Sequence, residues 1–158
     1  MKTAIGQDSH KFNFSRNNKK LILGGVVFKN NHPLQGNSDA DVILHSITNA
    51  VSGITGVNIL GKIADEMCKS GITDSKEYLL KAMEYLNGFI ISHLSISVEC
   101  KTPAISPMIS QIKKSIGKIL NLKVENIGLT ATSGEGLTSF GKGEGIQVFS
   151  IITAIKKG

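Results

Sequence analysis

Asp8 and His10 lie two positions apart in the segment GQDSHKF, residues 6–12. The segment is predicted to be extended, and alternate residues of a strand point to the same face, so a carboxylate oxygen and an imidazole nitrogen can converge on one ion. A short Asp-x-His motif is more often a strand end whose aspartate accepts backbone hydrogen bonds, and a metal site needs a third ligand. His45, in NSDADVILH, is the candidate. Two imidazoles, one carboxylate and an open fourth position are typical of a catalytic zinc site.

A second group of chemically useful side chains occupies the glycine-rich stretch LTATSGEGLTSFGKGEGI, residues 129–146. Hydroxyl groups and exposed backbone N–H groups are the donors that phosphate oxygens require, and Glu135 offers a hard oxygen ligand that suits Mg²⁺. Thr132, Ser133 and Lys142 are the other candidate members. The alternative is a flexible hairpin without a role, since such clusters mark loops in general. The stretch lacks the pattern GxxxxGK[ST], so it is not a P-loop.

Hydrophobic periodicity and turn residues predict the elements that position both groups. Helices are predicted at 38–56, 74–86 and 107–120, and strands at 2–12, 20–29, 89–100, 126–133 and 145–156. The first two strands are compatible with a hairpin. Because helices and strands interleave along 158 residues, we expect one α+β domain, 1–158, with a split β-α-β sheet whose helices cover one face.

The helix that carries His45 has its own start and stop signals. Ser38 is predicted as the N-cap, with Asp41 in the capping-box position, and Gly56 is predicted to end the helix. An apolar stripe along it consists of Ile43, Ile47, Ala50 and Ile54. The stripe predicts a helix that lies against the core.

The closing strand, 145–156, is apolar on both faces. Even positions supply Ile146, Val148, Ile152 and Ala154, and odd positions supply Phe149, Ile151 and Ile155. A sheet with helices on one face should present a polar outer face. We therefore expect the outer face to be covered by another copy of the same sheet.

The composition, with 41% hydrophobic residues, is that of a globular chain. The longest apolar run, residues 21–28, is far too short for a bilayer span and the N-terminus has no apolar signal core, so we expect a soluble, cytoplasmic protein. Cys68 and Cys100 have no CxxC partner, and reduced thiols are expected. His32 is placed on a surface turn, and His93, in mid-strand, is given a packing or hydrogen-bonding role.

A net charge of +6 and a pI near 9.4 suggest an anionic partner, which could be a phosphorylated small molecule, nucleic acid or a membrane surface. The lysines are scattered, and the sequence has no RNP-like aromatic strand or zinc-finger spacing. A nucleic-acid-binding domain is supported by charge alone and gives no reason for Asp8, His10 and His45 to converge. We therefore expect neither nucleic acid nor a membrane as partner.

Four motifs, GQDSHKF, NSDADVILH, ATSGEG and GKGEGI, closely resemble in order and spacing those of the 2-C-methyl-D-erythritol 2,4-cyclodiphosphate synthase family, and the resemblance covers nearly the whole chain. It implies an α+β, ferredoxin-like subunit in a homotrimer, with sheets packed together and active sites between neighbouring subunits. It also implies a zinc ion held by Asp8, His10 and His45, and a second divalent ion, Mg²⁺ or Mn²⁺, at Glu135.

The resemblance further implies a reaction. The family's substrate is the cytidine diphosphate-linked 4-diphosphocytidyl-2-C-methyl-D-erythritol 2-phosphate, whose 2-phosphate attacks the β-phosphorus and expels CMP. The nucleophile belongs to the substrate, and the sequence suggests no Ser-His-Asp or Cys-His arrangement. Catalytic roles are implied for Asn37, Thr132 and Ser133. Substrate contacts are implied for Asp8, His10, Asn37, Ser38, Gly61, Cys100, Pro103, Ala104, Ile105, Ala131, Thr132, Ser133, Glu135 and Lys142.

The stretch CKTPAIS, residues 100–106, matches the family's cytosine-binding loop, where backbone groups can recognise the base edge. Four positions depart from the family pattern: Asn37 replaces a histidine, Ile59 an aspartate that holds the erythritol hydroxyls, Ala104 a lysine and Lys142 an arginine. The predicted metal ligands are intact, so the departures bear on diol recognition. Ile59 and Asn37 favour, as the alternative, another metal-dependent phosphotransferase or phosphohydrolase on the same scaffold.

Overall fold

A central mixed sheet and four α-helices carry the candidate residues in the computed structural model of the chain, which describes residues 1–15 and 17–158. The strands are β1 (Lys2–Lys11), β2 (Leu21–Leu23), β3 (Val26–Phe28), β4 (Phe89–Glu99), β5 (Ile127–Thr132) and β6 (Gly145–Lys156). The helices are α1 (Val42–Thr55), α2 (Lys62–Lys69), α3 (Ser75–Met83) and α4 (Ile109–Leu120). Within the described ranges, none of these helices is both long enough and apolar enough to cross a membrane.

The four long strands form one sheet in the order β1-β6-β4-β5. β6 is antiparallel to β1 and to β4, and β4 is parallel to β5. β1 and β4 therefore point the same way with β6 between them, which is the predicted split β-α-β unit. A ferredoxin-like subunit would run β-α-β-β-α-β, whereas here α4 joins β4 directly to its neighbour β5. The ferredoxin-like order of elements that the resemblance implied is therefore not seen in this chain, whereas the α+β class is.

The predicted strand 20–29 consists of two short strands, β2 and β3, which pair with each other. Gly24 and Gly25 turn the chain between them with φ angles of 61° and 78°, a left-handed conformation that glycine adopts without steric cost. β1 pairs with β6, so the hairpin expected between the first two strands is wrong. The glycine pair inside an apolar run was the turn signal that the periodicity concealed.

α1 packs along β1 and β6 and buries the whole predicted apolar stripe. It ends as predicted at Gly56, which has a φ of 77° and donates its N–H to the Ser52 carbonyl at 2.8 Å. Its start is corrected, because the N-cap is Asp41 and not Ser38. The Ser38 hydroxyl instead accepts the N–H of Ala40 at 3.1 Å, within the loop before the helix.

The buried carboxylate of Asp41 joins the β2–β3 turn to the start of α1. It accepts the N–H groups of Gly24, Gly25 and Leu44 at 2.8, 2.7 and 3.1 Å. Complete burial raises the pKa of Asp41 to about 6, against the opposing effect of these three backbone donors. The contacts fix the position of the helix on which His45 stands.

The other predicted helices are confirmed, with Asp74 as the N-cap of α3 and a short 3-10 turn, Ser106–Met108, before α4. α2 was not predicted. It has eight residues, of which only Ala64 is buried, and it begins after Gly61 without a side-chain cap. Its sequence therefore carries neither a long apolar stripe nor a capping signal.

The sheet has one covered and one open face. The even positions 146–154 of β6 are buried, whereas its odd apolar positions, Phe149, Ile151 and Ile155, are exposed. Ile5 pairs with Ile151, and Ile90 with Ile155, on this outer face. The exposed apolar side chains there are Ile5, Ile90, Phe149, Ile151 and Ile155, at 62%, 46%, 41%, 45% and 39% of their full accessibility. In the single chain, the second apolar face is thus uncovered.

Gly6 lets β1 lie directly against α1, and replacing it should strongly destabilise the fold. A Cβ at this position would lie 2.0 Å from the Ser46 carbonyl oxygen and 2.3 Å from the Ala50 nitrogen, and both are backbone atoms that cannot rotate away. We expect Gly6→Ala to lower the free energy of unfolding by about 3 kcal/mol or more, measured by urea denaturation.

The matched control is Gly128→Ala in β5, where the nearest atom to a new Cβ is the Ser95 hydroxyl at 3.9 Å. This variant should unfold at nearly the same urea concentration as the unaltered protein. Equal destabilisation by the two substitutions would contradict the close approach of β1 to α1.

Candidate active site

Asp8, His10 and His45 meet at the edge of the sheet, where β1 supplies the first two and α1 the third. The Asp8 Oδ2 atom lies 2.9 Å from His10 Nε2 and 3.2 Å from His45 Nδ1. The two imidazole nitrogens are 3.3 Å apart. The strand alternation expected for Asp8 and His10 therefore places them as predicted, and the helix brings His45 to the same point.

Hydrogen bonds on the far side of each ring determine which nitrogens face the centre of this triad. His10 Nδ1 lies 2.7 Å from the Gln35 carbonyl oxygen, which can only accept, so Nδ1 carries a proton and Nε2 is the nitrogen that faces Asp8. His45 Nε2 lies 2.8 Å from the Ser75 hydroxyl. The nitrogen that remains, Nδ1, faces Asp8.

The triad fits a metal ion by its donor set and by its spacing. Tetrahedral zinc with bonds of about 2.0–2.1 Å holds its ligand atoms about 3.3 Å apart. The three ligand atoms here are separated by 2.9–3.3 Å. Two imidazoles and one carboxylate, with room for a fourth ligand from outside, form the set found at catalytic zinc sites. Asp8, His10 and His45 could therefore hold a metal ion.

The charges within the triad stabilise one another. Burial alone would raise the pKa of Asp8, but the hydrogen bonds and positive charge of the two histidines outweigh it and hold that pKa below its usual value. Burial alone would lower the pKa of His10, but its contact with the Asp8 carboxylate outweighs it and raises that pKa. The site thus keeps its carboxylate ionised and attracts positive charge.

A cavity of about 370 Å³ opens beside the triad. Its lining includes the predicted residues Asn37, Ser38 and Gly61, together with Asp8 and His45. The structure thus brings the first half of the predicted site together. Helix α2, which the sequence did not predict, contributes one wall through Ala64, Asp65 and Cys68.

The loop that carries Asn37 is held from two sides. The Lys19 ammonium donates to the Ser38 carbonyl oxygen at 2.8 Å and also to that of Gly36. The Cys68 thiol donates to the Asn37 carbonyl oxygen at 3.4 Å. These contacts engage the backbone of Asn37 and its neighbours, and they leave the exposed Asn37 side chain available to a ligand.

The remaining predicted residues form a second group at the ends of β4 and β5. The Cys100 N–H donates to the Thr132 carbonyl oxygen at 3.1 Å, which joins the loop 100–106 to the glycine-rich loop. Thr138 donates to the Glu99 carboxylate at 2.6 Å and strengthens this junction. Exposed members of the group are Ala104, Ala131, Thr132, Ser133, Glu135 and Lys142.

Cys100, Pro103 and Ile105 are the buried members of the second group. The Cys100 thiol donates to the Pro103 carbonyl oxygen at 3.6 Å, and burial, aided by the charge of Glu99, raises the pKa of the thiol to about 11. Its side chain therefore supports the loop and stays protonated at neutral pH. A ligand would meet the backbone of this loop rather than these three side chains.

The two groups are not brought together within one chain. The triad lies on the edge strand β1, and Thr132 ends the opposite edge strand, β5, with β6 and β4 in between. Neighbouring strands are about 4.8 Å apart, so the two edges are separated by about 14 Å. One chain therefore carries two separate halves of the predicted site.

Three other residues singled out in the sequence lie outside the two groups of predicted site residues. Ile59 is fully buried in the core, so its side chain does not reach the cavity. His32 is exposed on a turn, as predicted, with its ring edge-on to Phe14 at 4.9 Å. His93 is exposed in β4, so its predicted packing role is not seen in the single chain.

Sequence reasoning missed Ser75 and Asp39, which contact each other and extend the hydrogen bonding of His45. Asp39 belongs to the quoted motif NSDADVILH, and Ser75 follows the predicted N-cap Asp74. The signal available in the sequence was the acidic residue Asp39, which lies close in sequence to the candidate ligand His45. The 30 positions between His45 and Ser75 concealed their contact.

The chain matches a family model, the YgbB family, over residues 1–155. It is 45% identical over 157 residues to the 2-C-methyl-D-erythritol 2,4-cyclodiphosphate synthase of Chlamydia muridarum, a match that covers 98% of this chain and 88% of the relative. It is 44% identical over 154 residues to the protein of the same name from Chlamydia caviae, covering 96% and 88%.

Solved structures are similar over nearly the whole chain. The Plasmodium falciparum IspF in complex with CDP has a TM-score of 0.81 at 28% identity, covering 99% of this chain and 96% of that one. The bifunctional IspDF from Campylobacter jejuni has a TM-score of 0.86 at 28% identity, and this chain spans 42% of its length.

Proposed function

This chain belongs to the YgbB family, and on that premise we propose that it is a 2-C-methyl-D-erythritol 2,4-cyclodiphosphate synthase, a CMP-releasing lyase. The proposed substrate is 4-diphosphocytidyl-2-C-methyl-D-erythritol 2-phosphate. An oxygen of its 2-phosphate bonds to the β-phosphorus while the bond from that phosphorus to the bridging oxygen breaks, and CMP leaves with the bridging oxygen. Residues 1–158 form the single catalytic domain.

The observation that carries this proposal is the triad. Two imidazole nitrogens and the Asp8 carboxylate converge at zinc-ligand spacing beside an open cavity. Asp8, His10 and His45 would hold a zinc ion, and the chemistry that the ion supplies when bound is Lewis-acid polarisation of a phosphate oxygen. A phosphoryl transfer whose nucleophile is part of the substrate needs mainly such charge stabilisation and positioning.

The protein's own groups position the substrate. The Asn37 amide, on the cavity wall, donates to the reacting phosphates where the family has an imidazole. Thr132 and Ser133 orient the diphosphate from the exposed end of β5, and Lys142 neutralises part of its charge. Backbone groups of the loop 100–106 bind the cytosine edge.

We propose a homotrimer whose active sites lie between neighbouring subunits. Two features support it: the sheet has an exposed apolar face, and the two halves of the site lie on opposite edges of that sheet. Packing this face against a second copy would bury the exposed isoleucines and bring the β1 edge of one subunit to the β5 edge of the next. The proposed compartment is the cytoplasm, where Cys68 and Cys100 stay reduced.

The proposal is tested by incubating the purified protein with the cytidine substrate, zinc and magnesium, and by identifying the products by mass spectrometry. We expect CMP and the cyclic diphosphate in equal amounts. The alternative, a phosphohydrolase on the same scaffold, would release CMP together with an uncyclised product that is heavier by one water molecule. The departures at Asn37 and Ile59 are the features that favour this alternative.

Glu135 is the proposed ligand of the second ion, and Glu135→Gln should separate the two metals. One exposed carboxylate together with substrate phosphates is a typical magnesium site, and an amide is the poorer ligand for this hard cation. We expect the magnesium concentration for half-maximal rate to rise about tenfold or more, with zinc content unchanged by elemental analysis. An equal loss of both metals would show that the two sites are not separate.

A further inference from the structure

His45 ends a chain of hydrogen bonds that runs away from the triad into the protein. Its Nε2 atom lies 2.8 Å from the Ser75 hydroxyl, and that hydroxyl donates to the Asp39 carboxylate. Ser75 is completely buried and His45 is only 8% exposed. Water therefore does not compete for this contact.

The direction of each hydrogen bond in the chain follows from the chemistry of its members. An ionised carboxylate only accepts, so the single proton of the Ser75 hydroxyl points to Asp39. The hydroxyl oxygen then has only lone pairs left for His45, which must donate its Nε2–H. The contact thus directs Nε2 to Ser75 and Nδ1 to Asp8 and His10, so Nδ1 is the nitrogen that would bind a metal ion in place of a proton.

Asp39 is itself fixed, so the chain is anchored. Its carboxylate accepts the N–H of Ser75 at 3.0 Å, at the start of α3, and the N–H of Asp41 at 3.1 Å, just before α1. These backbone donors hold the carboxylate between the two helices. Rotation of the His45 ring would break its hydrogen bond to Ser75, and the position of Ser75 is fixed through Asp39 by both helices.

We propose that Ser75 and Asp39 are positioning residues that keep His45 in its metal-binding tautomer and orientation, an inference that rests on the proposed zinc site. The order of the groups distinguishes this chain from a nucleophilic triad, because the serine lies in the middle with its proton committed to Asp39. His10 has a comparable partner, but there it is the Gln35 carbonyl of the backbone. His45 differs, because the ring nitrogen that faces away from the triad contacts a side chain, that of Ser75.

The test is the zinc affinity of Ser75→Ala, measured by competition with a chelator. Loss of an outer partner of a metal-bound histidine typically weakens metal binding 10- to 100-fold, and we expect a loss within about this range. The matched control is Ser46→Ala, which removes another completely buried hydroxyl, one that contacts Ser150 and the Ile43 carbonyl. Its zinc affinity should be unchanged.

A second readout does not depend on metal. Nitrogen-15 NMR of the metal-free protein should show a proton on His45 Nε2 that exchanges slowly with water, and in Ser75→Ala this exchange should become fast. Asp39→Asn, which keeps only one of the two oxygens that accept the Ser75 and Asp41 N–H groups, should weaken zinc binding in the same direction and serves as the informative variant if Ser75→Ala does not fold.

The outcomes separate this inference from the proposal beneath it. An unaltered protein that binds no zinc would overturn the proposed metal site. An unaltered protein that binds zinc, with Ser75→Ala and Asp39→Asn binding it equally well and the His45 Nε2 proton still exchanging slowly in Ser75→Ala, would overturn the positioning role alone.

Discussion

His45→Ala and Asp8→Asn are each expected to lose bound zinc and to lower the turnover rate by at least about a thousandfold. Each substitution removes one of the three proposed zinc ligands, and the Lewis-acid contribution of a metal is worth several kcal/mol in the transition state. Asp8→Asn is the sharper variant, since it keeps the shape of the side chain and removes its charge. Zinc content by elemental analysis and the rate of CMP release are the two measurements.

His32→Ala is the matched control for the histidine substitution, because His32 is exposed on a turn and lies outside both the triad and the sheet. It should keep both zinc and activity. Circular dichroism should be the same for all three variants, since an open site is not needed to hold the fold together. A His45→Ala protein that is free of zinc and fully active would contradict the assignment.

Mixing His45→Ala subunits with Glu135→Ala subunits should restore activity that neither variant has alone. If each site takes its triad from one chain and its glycine-rich loop from the next, random trimers at equal amounts contain intact sites at about one quarter of all positions. Co-refolding the two variants and assaying CMP release measures this fraction. Sedimentation of the mixture should show a trimer and no active monomer.

The control mixture pairs the unaltered chain with a double variant, His45→Ala and Glu135→Ala on one chain. Sites shared between chains again give about one quarter of full activity, whereas sites within one chain would give about one half. Inactive single-variant mixtures together with a half-active control would therefore contradict the intersubunit site, whatever the oligomeric state.

The triad could be predicted from the sequence because each of its parts depends on a local rule. The spacing of Asp8 and His10 places both on one face of a strand, and the apolar stripe of α1 fixes which side of the helix meets the sheet. The distances of 2.9–3.3 Å agree with that expectation. The alternation of β6, with apolar residues on both faces, was predictable for the same reason.

What could not be predicted depends on contacts between distant segments. The order of the four strands is decided by pairings such as Gly6 with Ser150, which no local pattern encodes. The contact of Ser75 with His45 joins residues on different helices. The separation of the triad from Thr132 follows from the strand order, so the distance between the two halves could not be obtained from local patterns either.

The central claim is that the substrate's own phosphate, and not water, attacks the β-phosphorus at this site. The direct measurement is mass spectrometry of the products formed in water enriched in oxygen-18. We predict CMP and the cyclic diphosphate, both without heavy oxygen, because the bond that forms uses an oxygen of the substrate. Heavy oxygen in either product, or an uncyclised diphosphate or monophosphate in place of the ring, would contradict the account.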